Sequence, residues 1–241
     1  MKLKAILFDL DGTLLPLEQK VFTERCFDLF SEKLAPYGYE RSDLYSCMQV
    51  MIDNDGSVTN QQAMIQRFCE LYGESALEHI VLFDDFYEHE FDELKKVCGF
   101  DKRASEIVKS LKTDGFIVAI ATNPLFPKLA TRKRIEWAGL DLTDFELAST
   151  YEDFHYCKPN IEFYTEFLNK LNLKPEECLM VGNDAVEDMV AEEIGMHVFL
   201  LTDCLHNAEN VDISKFPRGD FDALKNYIET DFEVSKAIND N

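Results

Sequence analysis

The stretch that decides the fold is Ala5-Ile6-Leu7-Phe8-Asp9-Leu10-Asp11-Gly12-Thr13-Leu14, close to the start of the chain. Four consecutive apolar residues followed by charge and glycine indicate a short strand that is buried on both faces. Asp9 and Asp11 follow where this strand ends, and two carboxylates repel each other there unless a cation or a proton lies between them. We therefore expect a parallel sheet whose first strand leads into an acidic site.

Strand and helix patterns alternate in the second half of the chain. Further apolar runs predict strands over residues 116–121, 178–181 and 198–201, with a weaker candidate at 146–148. Helical patterns lie between them, over residues 102–111, 127–138, 161–171 and 188–194. This alternation predicts βαβ units and therefore the α/β class, with a parallel sheet that carries helices on both faces.

Residues 17–97 interrupt this alternation, because helical periodicity continues there without a convincing strand. Apolar stripes at helical spacing run over residues 21–34, 63–72 and 77–94, and the turn Asn54-Asp55-Gly56-Ser57 separates two of them. An insert of about 80 helical residues after the first strand predicts a separate helical module.

The charge of the chain excludes several classes of partner. The 24 Lys and Arg residues stand against 46 Asp and Glu residues, which gives a formal net charge of −22. Such a chain has no electrostatic reason to bind nucleic acid or an anionic membrane surface. No run approaches the ~20 apolar residues of a membrane span. Seven cysteines without a C-x-x-C pair indicate reduced thiols, so we expect a cytoplasmic protein.

Three more groups of polar residues follow predicted strands or open a predicted helix. Thr122-Asn123-Pro124 ends one strand, Gly182-Asn183-Asp184 ends another, with Asp188 one turn further, and Lys158-Pro159-Asn160 opens a helix. Each group alone has an ordinary interpretation as a helix cap or a solvated lysine. Because ligands bind beyond the carboxyl ends of parallel strands, the groups together predict one site for an anion and a cation.

In these four elements the sequence resembles the haloacid dehalogenase superfamily of aspartate-nucleophile phosphohydrolases. The match consists of Asp9-x-Asp11-Gly12-Thr13, Thr122, Lys158 and Gly182-Asn183-Asp184-x-x-x-Asp188, in this order. The resemblance implies a Rossmann-like catalytic core over residues 1–16 and 98–241. It also implies that residues 17–97 form a helical cap domain inserted after the first strand.

The resemblance further implies a role for each matched residue. Asp9 would be the nucleophile that forms an aspartyl-phosphate, and Asp11 would be the general acid and base. Thr122, Asn123 and Lys158 would bind the phosphoryl group, with Lys158 offsetting its charge. Asp188 would orient a water ligand or Lys158.

Mg²⁺ is the cofactor that the resemblance implies, held by the Asp9 carboxylate, the Asp11 main-chain carbonyl and one residue of the fourth motif. Many family members have Asp directly after the glycine of that motif, where this chain has Asn183 followed by Asp184. Both residues are candidates. We favour Asp184, because a hard dication prefers an anionic oxygen.

The resulting hypothesis is an Mg²⁺-dependent phosphatase that acts on a small phosphorylated metabolite. A phosphosugar mutase is the first alternative, since the motifs do not distinguish it from a phosphatase. A phosphonatase would need a cap lysine, for which Lys20, Lys33, Lys95 and Lys96 are available. A haloacid dehalogenase is disfavoured by Asp11. A non-catalytic binding module of the same fold is the alternative from another class.

Overall fold

Five parallel strands form the centre of the molecule in the computed structural model, which describes residues 2–232. In chain order the strands are β1 (Ala5–Phe8), β2 (Ile117–Ile120), β3 (Cys178–Gly182), β4 (His197–Leu201) and β5 (Arg218–Gly219). Their order in the sheet is β2-β1-β3-β4-β5, and every neighbouring pair is parallel. The α/β fold expected from the sequence is confirmed.

Within residues 2–232, eight α-helices accompany the sheet. In chain order they are α1 (Gln19–Leu34), α2 (Arg41–Ile52), α3 (Asn60–Tyr72), α4 (Ile80–Glu88), α5 (Lys102–Thr113), α6 (Lys128–Trp137), α7 (Ile161–Leu171) and α8 (Phe221–Asp231). Short 3₁₀ segments add to them, among them Glu74–His79, Glu90–Val97 and Met189–Ile194. No helix within residues 2–232 is long and apolar enough to cross a membrane.

The strand β1 lies in the middle of the sheet, and its position explains why its sequence is apolar throughout. All four of its residues are buried, because β2 and β3 flank it and both faces of the sheet are covered. Ile6 and Phe8 belong to the apolar core on the face of α5 and α8, whereas Ala5 and Leu7 belong to the core on the face of α7. The acidic residues after β1 therefore leave the sheet at its centre.

The helices α1 to α4 are inserted between β1 and β2, and aromatic rings fill the space between them. Phe30 of α1 stacks on Phe86 of α4 at a centroid distance of 4.3 Å. The connections into and out of this segment run side by side, since Leu17 and Cys98 form an antiparallel bridge. The bridge supports a cap over residues 17–97, and this division stays a proposal. Residues 233–241 of the expected core lie outside the described residues.

Five features differ from the sequence prediction. Residues 146–148 form one bridge, between Ala148 and Ile120, instead of a strand. The segment predicted as a helix over 188–194 is the 3₁₀ segment Met189–Ile194, and α2 and α8 were not predicted. The short strand β5 was also missed, because two partly exposed residues contain no apolar run.

Candidate active site

A buried lysine connects two of the carboxylates that the motifs contain. Lys158 Nζ lies 3.0 Å from Asp9 Oδ1 and 2.6 Å from Asp188 Oδ1. The other Asp9 oxygen, Oδ2, accepts a 3.3 Å hydrogen bond from the Thr13 hydroxyl. The structure thus brings the first, third and fourth motifs together at the carboxyl end of β1 and β3.

The ionisation of Lys158 follows from this arrangement. Burial disfavours the ammonium, but the charges of Asp188 and Asp9 outweigh burial and raise the pKa of Lys158 well above its ordinary value. The side chain therefore stays charged. Helix α7 begins at Ile161 with Asn160 as its N-cap, so Lys158 lies before the helix and not in its first turn.

Asp11 has a different partner, which the motifs do not include. Its Oδ2 accepts a hydrogen bond from Arg134 of α6, and the Arg134 side chain is completely buried. Arg134 is held in turn by the Phe126 ring, 4.4 Å from the guanidinium carbon, and by the Thr131 hydroxyl at 3.3 Å. Asp11 Oδ1 is buried and has no hydrogen-bond partner within the described part of the chain. Burial raises the pKa of Asp11, although Arg134 opposes this shift.

The groups next to these carboxylates include several free donors. The Thr122 side chain is buried, and its hydroxyl makes no hydrogen bond to any residue between 2 and 232. The main-chain N–H groups of Leu10, Asp11 and Asn123 also donate to no acceptor in the part of the chain that is described. These four donors lie directly after β1 and β2. They are therefore available to the oxygens of an anion.

Asn123 uses its side chain differently from the expectation. Its Oδ1 accepts from the Lys158 N–H at 3.2 Å, and its Nδ2 donates to Glu187 Oε2 at 3.3 Å. The amide thus holds the loop of Lys158 against the fourth motif. Only the main-chain N–H of Asn123 is left for a ligand.

The two neighbours in the fourth motif have different surroundings, and these reverse the preference for Asp184. Asn183 is buried, with Oδ1 accepting from the Thr13 hydroxyl at 2.9 Å, next to Asp9. Asp184 Oδ1 instead accepts from the N–H groups of Val186 and Glu187, both at 2.8 Å. The carboxylate of Asp184 therefore closes its own turn, and Asn183 faces the site.

Two glycines make the close approach of these groups possible. Gly12 has φ +81°, and a Cβ at this position would overlap the amide of Asn183. A Cβ at Gly182 would overlap the carboxylate of Asp188. The glycines of the first and fourth motifs are thus required by space next to the reactive side chains.

The oxygens of Asp9, Asn183 and the Asp11 main-chain carbonyl form the candidate donor set for a cation. Carboxylate, amide and carbonyl oxygens are the donors that Mg²⁺ takes in proteins. Within residues 2–232 no group of three or more His, Cys, Asp and Glu side chains is placed to hold a metal ion.

Sequence reasoning missed Arg134 and Glu187. Arg134 lies 123 residues from its partner Asp11, and the only signal in the sequence is a charge beside the apolar residues of the helix pattern over 127–138. Glu187 lies between Asp184 and Asp188 and reads as a surface acid, yet burial raises its pKa to about 8. Neither role can be recognised without the fold.

The geometry supplies a carboxylate beside an ammonium, a second carboxyl group with one free oxygen, and donors for an anion. Such a set can perform nucleophilic displacement at an anionic centre.

Comparison with known proteins agrees with this chemistry. A family model described as haloacid dehalogenase-like hydrolase matches residues 3–193. The pyrophosphatase PpaX of Bacillus cereus (strain G9842) is 27% identical over 188 residues, which is 76% of each chain.

Solved structures share the fold. A predicted phosphoglycolate phosphatase from Haemophilus somnus 129PT has a TM-score of 0.57 and 21% identity, covering 93% of this chain and 98% of that one. The 2-haloacid dehalogenase from Pseudomonas syringae pv. tomato DC3000 has a TM-score of 0.62 and 17% identity, with coverage of 94% and 98%. With the family model matching most of the sequence, the chain belongs to the haloacid dehalogenase-like hydrolase family.

Proposed function

We propose that the protein is an Mg²⁺-dependent phosphohydrolase that acts on a small phosphorylated metabolite through an aspartyl-phosphate at Asp9. The observation that carries the proposal is the state of the two carboxyl groups after β1. Asp9 lies against the charged Lys158, and Asp11 Oδ1 has no hydrogen-bond partner among residues 2–232. The first group suits a nucleophile, and the second suits a proton donor.

The first step is attack of the Asp9 carboxylate on phosphorus. The new oxygen–phosphorus bond forms as the bond from phosphorus to the leaving oxygen breaks, and that oxygen takes the proton of Asp11. The raised pKa of Asp11 supports this role, because it favours the protonated acid. Lys158, the Thr122 hydroxyl and the free N–H groups of Leu10 and Asn123 stabilise the charge on the phosphoryl oxygens.

The second step is hydrolysis of the aspartyl-phosphate. Asp11, now ionised, takes a proton from water, and the water oxygen attacks phosphorus as the bond to Asp9 breaks. Inorganic phosphate leaves, and Asp9 and Asp11 return to their starting states. Arg134 keeps Asp11 in place through both steps by holding Oδ2.

Mg²⁺ fits the donor set of Asp9, the Asp11 carbonyl and Asn183, since all three offer oxygen. When bound, the ion would offset the negative charge of the phosphoryl group and of the carboxylates around it. We propose Asn183 as the ligand of the fourth motif. Asp188, 2.6 Å from Lys158, positions that lysine.

The cap supports a small substrate. Asn60 at the start of α3 donates to the Pro124 carbonyl at 3.1 Å and to Cys157 Sγ at 3.3 Å. The Gln61 N–H donates to the Tyr151 carbonyl at 2.8 Å. The cap is thus packed on the loops that follow β2 and precede Lys158, and this leaves little room for a protein surface. A cytoplasmic location and the lack of nucleic-acid partners stay predictions.

The cap lysines offer no support for the phosphonatase alternative. Lys33 pairs with Asp85 and Glu90, and its pKa is raised because the hydrogen bonds to these acids outweigh the effect of burial. Lys20, Lys95 and Lys96 are exposed. A Schiff base needs an amine that loses its proton near neutral pH, and the surroundings of Lys33 work against this.

The test is phosphate release from a panel of phosphomonoesters with Mg²⁺. We expect release by the wild-type protein, none after EDTA, and none from Asp9→Asn. Acid quenching during turnover is expected to leave a phosphorylated peptide that contains Asp9. An isomeric sugar phosphate formed without release would identify a mutase instead. Equal release by Asp9→Asn, or none from any ester, would overturn the proposal.

A further inference from the structure

A cavity lies between the cap helices and the loop that follows β2. Its volume is about 100 Å³. Side chains of α1 to α4 form most of its wall, and Leu125, Phe126 and Tyr151 of the core complete it. Gln19, which is exposed, marks the edge where the cavity reaches the surface.

The wall of this cavity is apolar. Among the described residues, no Lys, Arg, Asp, Glu or His lines it, and phenylalanine, leucine, methionine and cysteine side chains predominate. Met48, Met51 and Met64 are unbranched and can adapt to the shape of an occupant. A charged group placed here would lose its hydration without gaining a partner. The cavity therefore suits an uncharged, apolar occupant.

One wall of the cavity lies next to the candidate active site, separated from Asp11 by the side chain of Arg134. Its wall residue Phe126 lies against the guanidinium of Arg134, which pairs with Asp11. Cys26, another wall residue, is close enough for the charges of Arg134 and Asp11 to act on its thiol, whose pKa burial raises to about 12. The cavity thus begins on the side of the site where Asp11 would protonate the leaving oxygen.

We propose that this cavity holds the alcohol part of the substrate, and that this alcohol is an uncharged aryl or branched alkyl group. The proposal rests on the proposed phosphohydrolase function and names its substrate class. An engineered protein cavity of about 150 Å³ binds benzene, so this smaller cavity of about 100 Å³, whose flexible methionines can move, limits the group to a single ring or a branched chain of similar size. The described wall of the cavity contains no cationic side chain. It therefore offers no partner to the second phosphate of pyrophosphate or to the carboxylate of phosphoglycolate.

The first experiment compares substrates of the wild-type protein with Mg²⁺. We expect kcat/KM for benzyl phosphate to exceed that for phosphoglycolate and for pyrophosphate by about tenfold or more. Equal or higher kcat/KM for either of these two anions would overturn the inference. If no ester is hydrolysed, the proposed function fails instead, and the binding experiment below decides the inference.

The second experiment fills the cavity. Cys47→Leu enlarges a wall residue, and Cys69→Leu makes the same change on α3 away from the wall. We expect the KM for benzyl phosphate to rise about fivefold or more in Cys47→Leu only, with the KM for methyl phosphate unchanged. Equal changes for both esters, or in both variants, would overturn the inference.

Binding of benzyl alcohol gives a readout that does not depend on turnover. We expect it to raise the Tm of the wild-type protein and of Cys69→Leu, because a ligand that binds only the folded state stabilises it. The Tm of Cys47→Leu should rise less. An equal rise in all three proteins, or none in any, would contradict the proposed cavity occupant. Tm values without benzyl alcohol show whether each variant is folded.

Discussion

The sheet edge and the helical cap each hold a lysine between two carboxylates, and the two sites differ in burial. Lys158 lies between Asp9 and Asp188, and its side chain is 1% exposed. Lys33 of α1 lies between Asp85 and Glu90, whose side chains are 48% and 40% exposed. The side chain of Lys33 is itself only 12% exposed, so the difference lies in the carboxylates, which are removed from water only at the sheet edge.

Because of this difference in burial, the ion pairs of Lys158 are expected to contribute more to stability than those of Lys33. Ion pairs in water are screened, whereas a buried charge depends on its partner to offset the loss of hydration. At the sheet edge, the carboxylates that pair with Lys158 include Asp9, the candidate nucleophile. In the cap, charges stay at the surface and the interior is apolar. Under the proposed function, the core would supply the chemistry and the cap would supply the shape that a substrate must fit.

Replacing each lysine separately by methionine tests this comparison with the largest expected effect. Lys158→Met leaves two buried carboxylates without their cation, so we expect a loss of about 3–5 kcal/mol in the free energy of unfolding. We also expect kcat/KM for phosphate release to fall by roughly 10²–10³-fold. Lys33→Met should cost about 1 kcal/mol or less and leave turnover unchanged.

Urea unfolding and phosphate release measure the two effects. Equal losses of stability in both variants would show that burial does not distinguish the two sites. Activity of Lys158→Met near the wild-type level would remove this lysine from the mechanism.

Arg134 at the sheet edge and Arg41 in the cap allow the same comparison of a buried ion pair with an exposed one. Arg134→Met leaves the Asp11 carboxyl buried with neither oxygen paired, so we expect a loss of about 3 kcal/mol in the free energy of unfolding. Arg41 of the cap pairs with Asp28 and Glu24 at the surface, and Arg41→Met should cost about 1 kcal/mol or less.

A second change separates loss of the pair from loss of packing. The double variant Arg134→Met, Asp11→Leu leaves neither charge of this pair buried. We expect about 2 kcal/mol of stability to return relative to Arg134→Met, measured by urea unfolding. If the double variant is no more stable than Arg134→Met, the cost belongs to packing against Phe126 instead.

The parts of the molecule that the sequence predicts are those where local pattern and final environment agree. The run Ala5–Phe8 is buried on both faces, so its composition alone indicates a strand. Helix α2 was missed because apolar residues are nearly continuous from Leu44 to Ile52, so the buried face of Leu44, Cys47 and Met51 does not stand out as a stripe. In the site, the charge of Asp184 suggested a ligand, but its Oδ1 accepts from two N–H groups of its own turn. Contacts over long sequence separations, such as Arg134 to Asp11, leave no local pattern.

The two neighbours in the fourth motif can be separated by their response to Mg²⁺. Asn183→Ala removes the amide oxygen that faces Asp9 and Thr13, so we expect the Mg²⁺ concentration for half-maximal activity to rise about 10–100-fold. Asp184→Ala removes a turn cap and should cost about 1 kcal/mol of stability without changing that concentration. A shift of the Mg²⁺ requirement in Asp184→Ala but not in Asn183→Ala would restore the register that the sequence favoured.

A dependence of stability on pH is expected from Glu187, whose pKa burial raises to about 8 from an ordinary value of 4.5. Between these values the folded state binds a proton that the unfolded state has lost. The stabilisation by the neutral acid is therefore complete below pH 4.5 and is lost as the pH rises to 8. Asn123 donates to Glu187 Oε2 at 3.3 Å, and glutamine can accept the same bond.

We expect the wild-type protein in EDTA to lose about 2 kcal/mol more stability than Glu187→Gln between pH 6 and 8, which is a Tm difference of about 4–8 °C. Contributions that are the same in both proteins cancel in this difference. Parallel Tm curves would mean that Glu187 is ionised at neutral pH. In that case the sheet edge would carry one more negative charge, and the contrast with the cap, where the acids face water, would be larger than the structure now indicates.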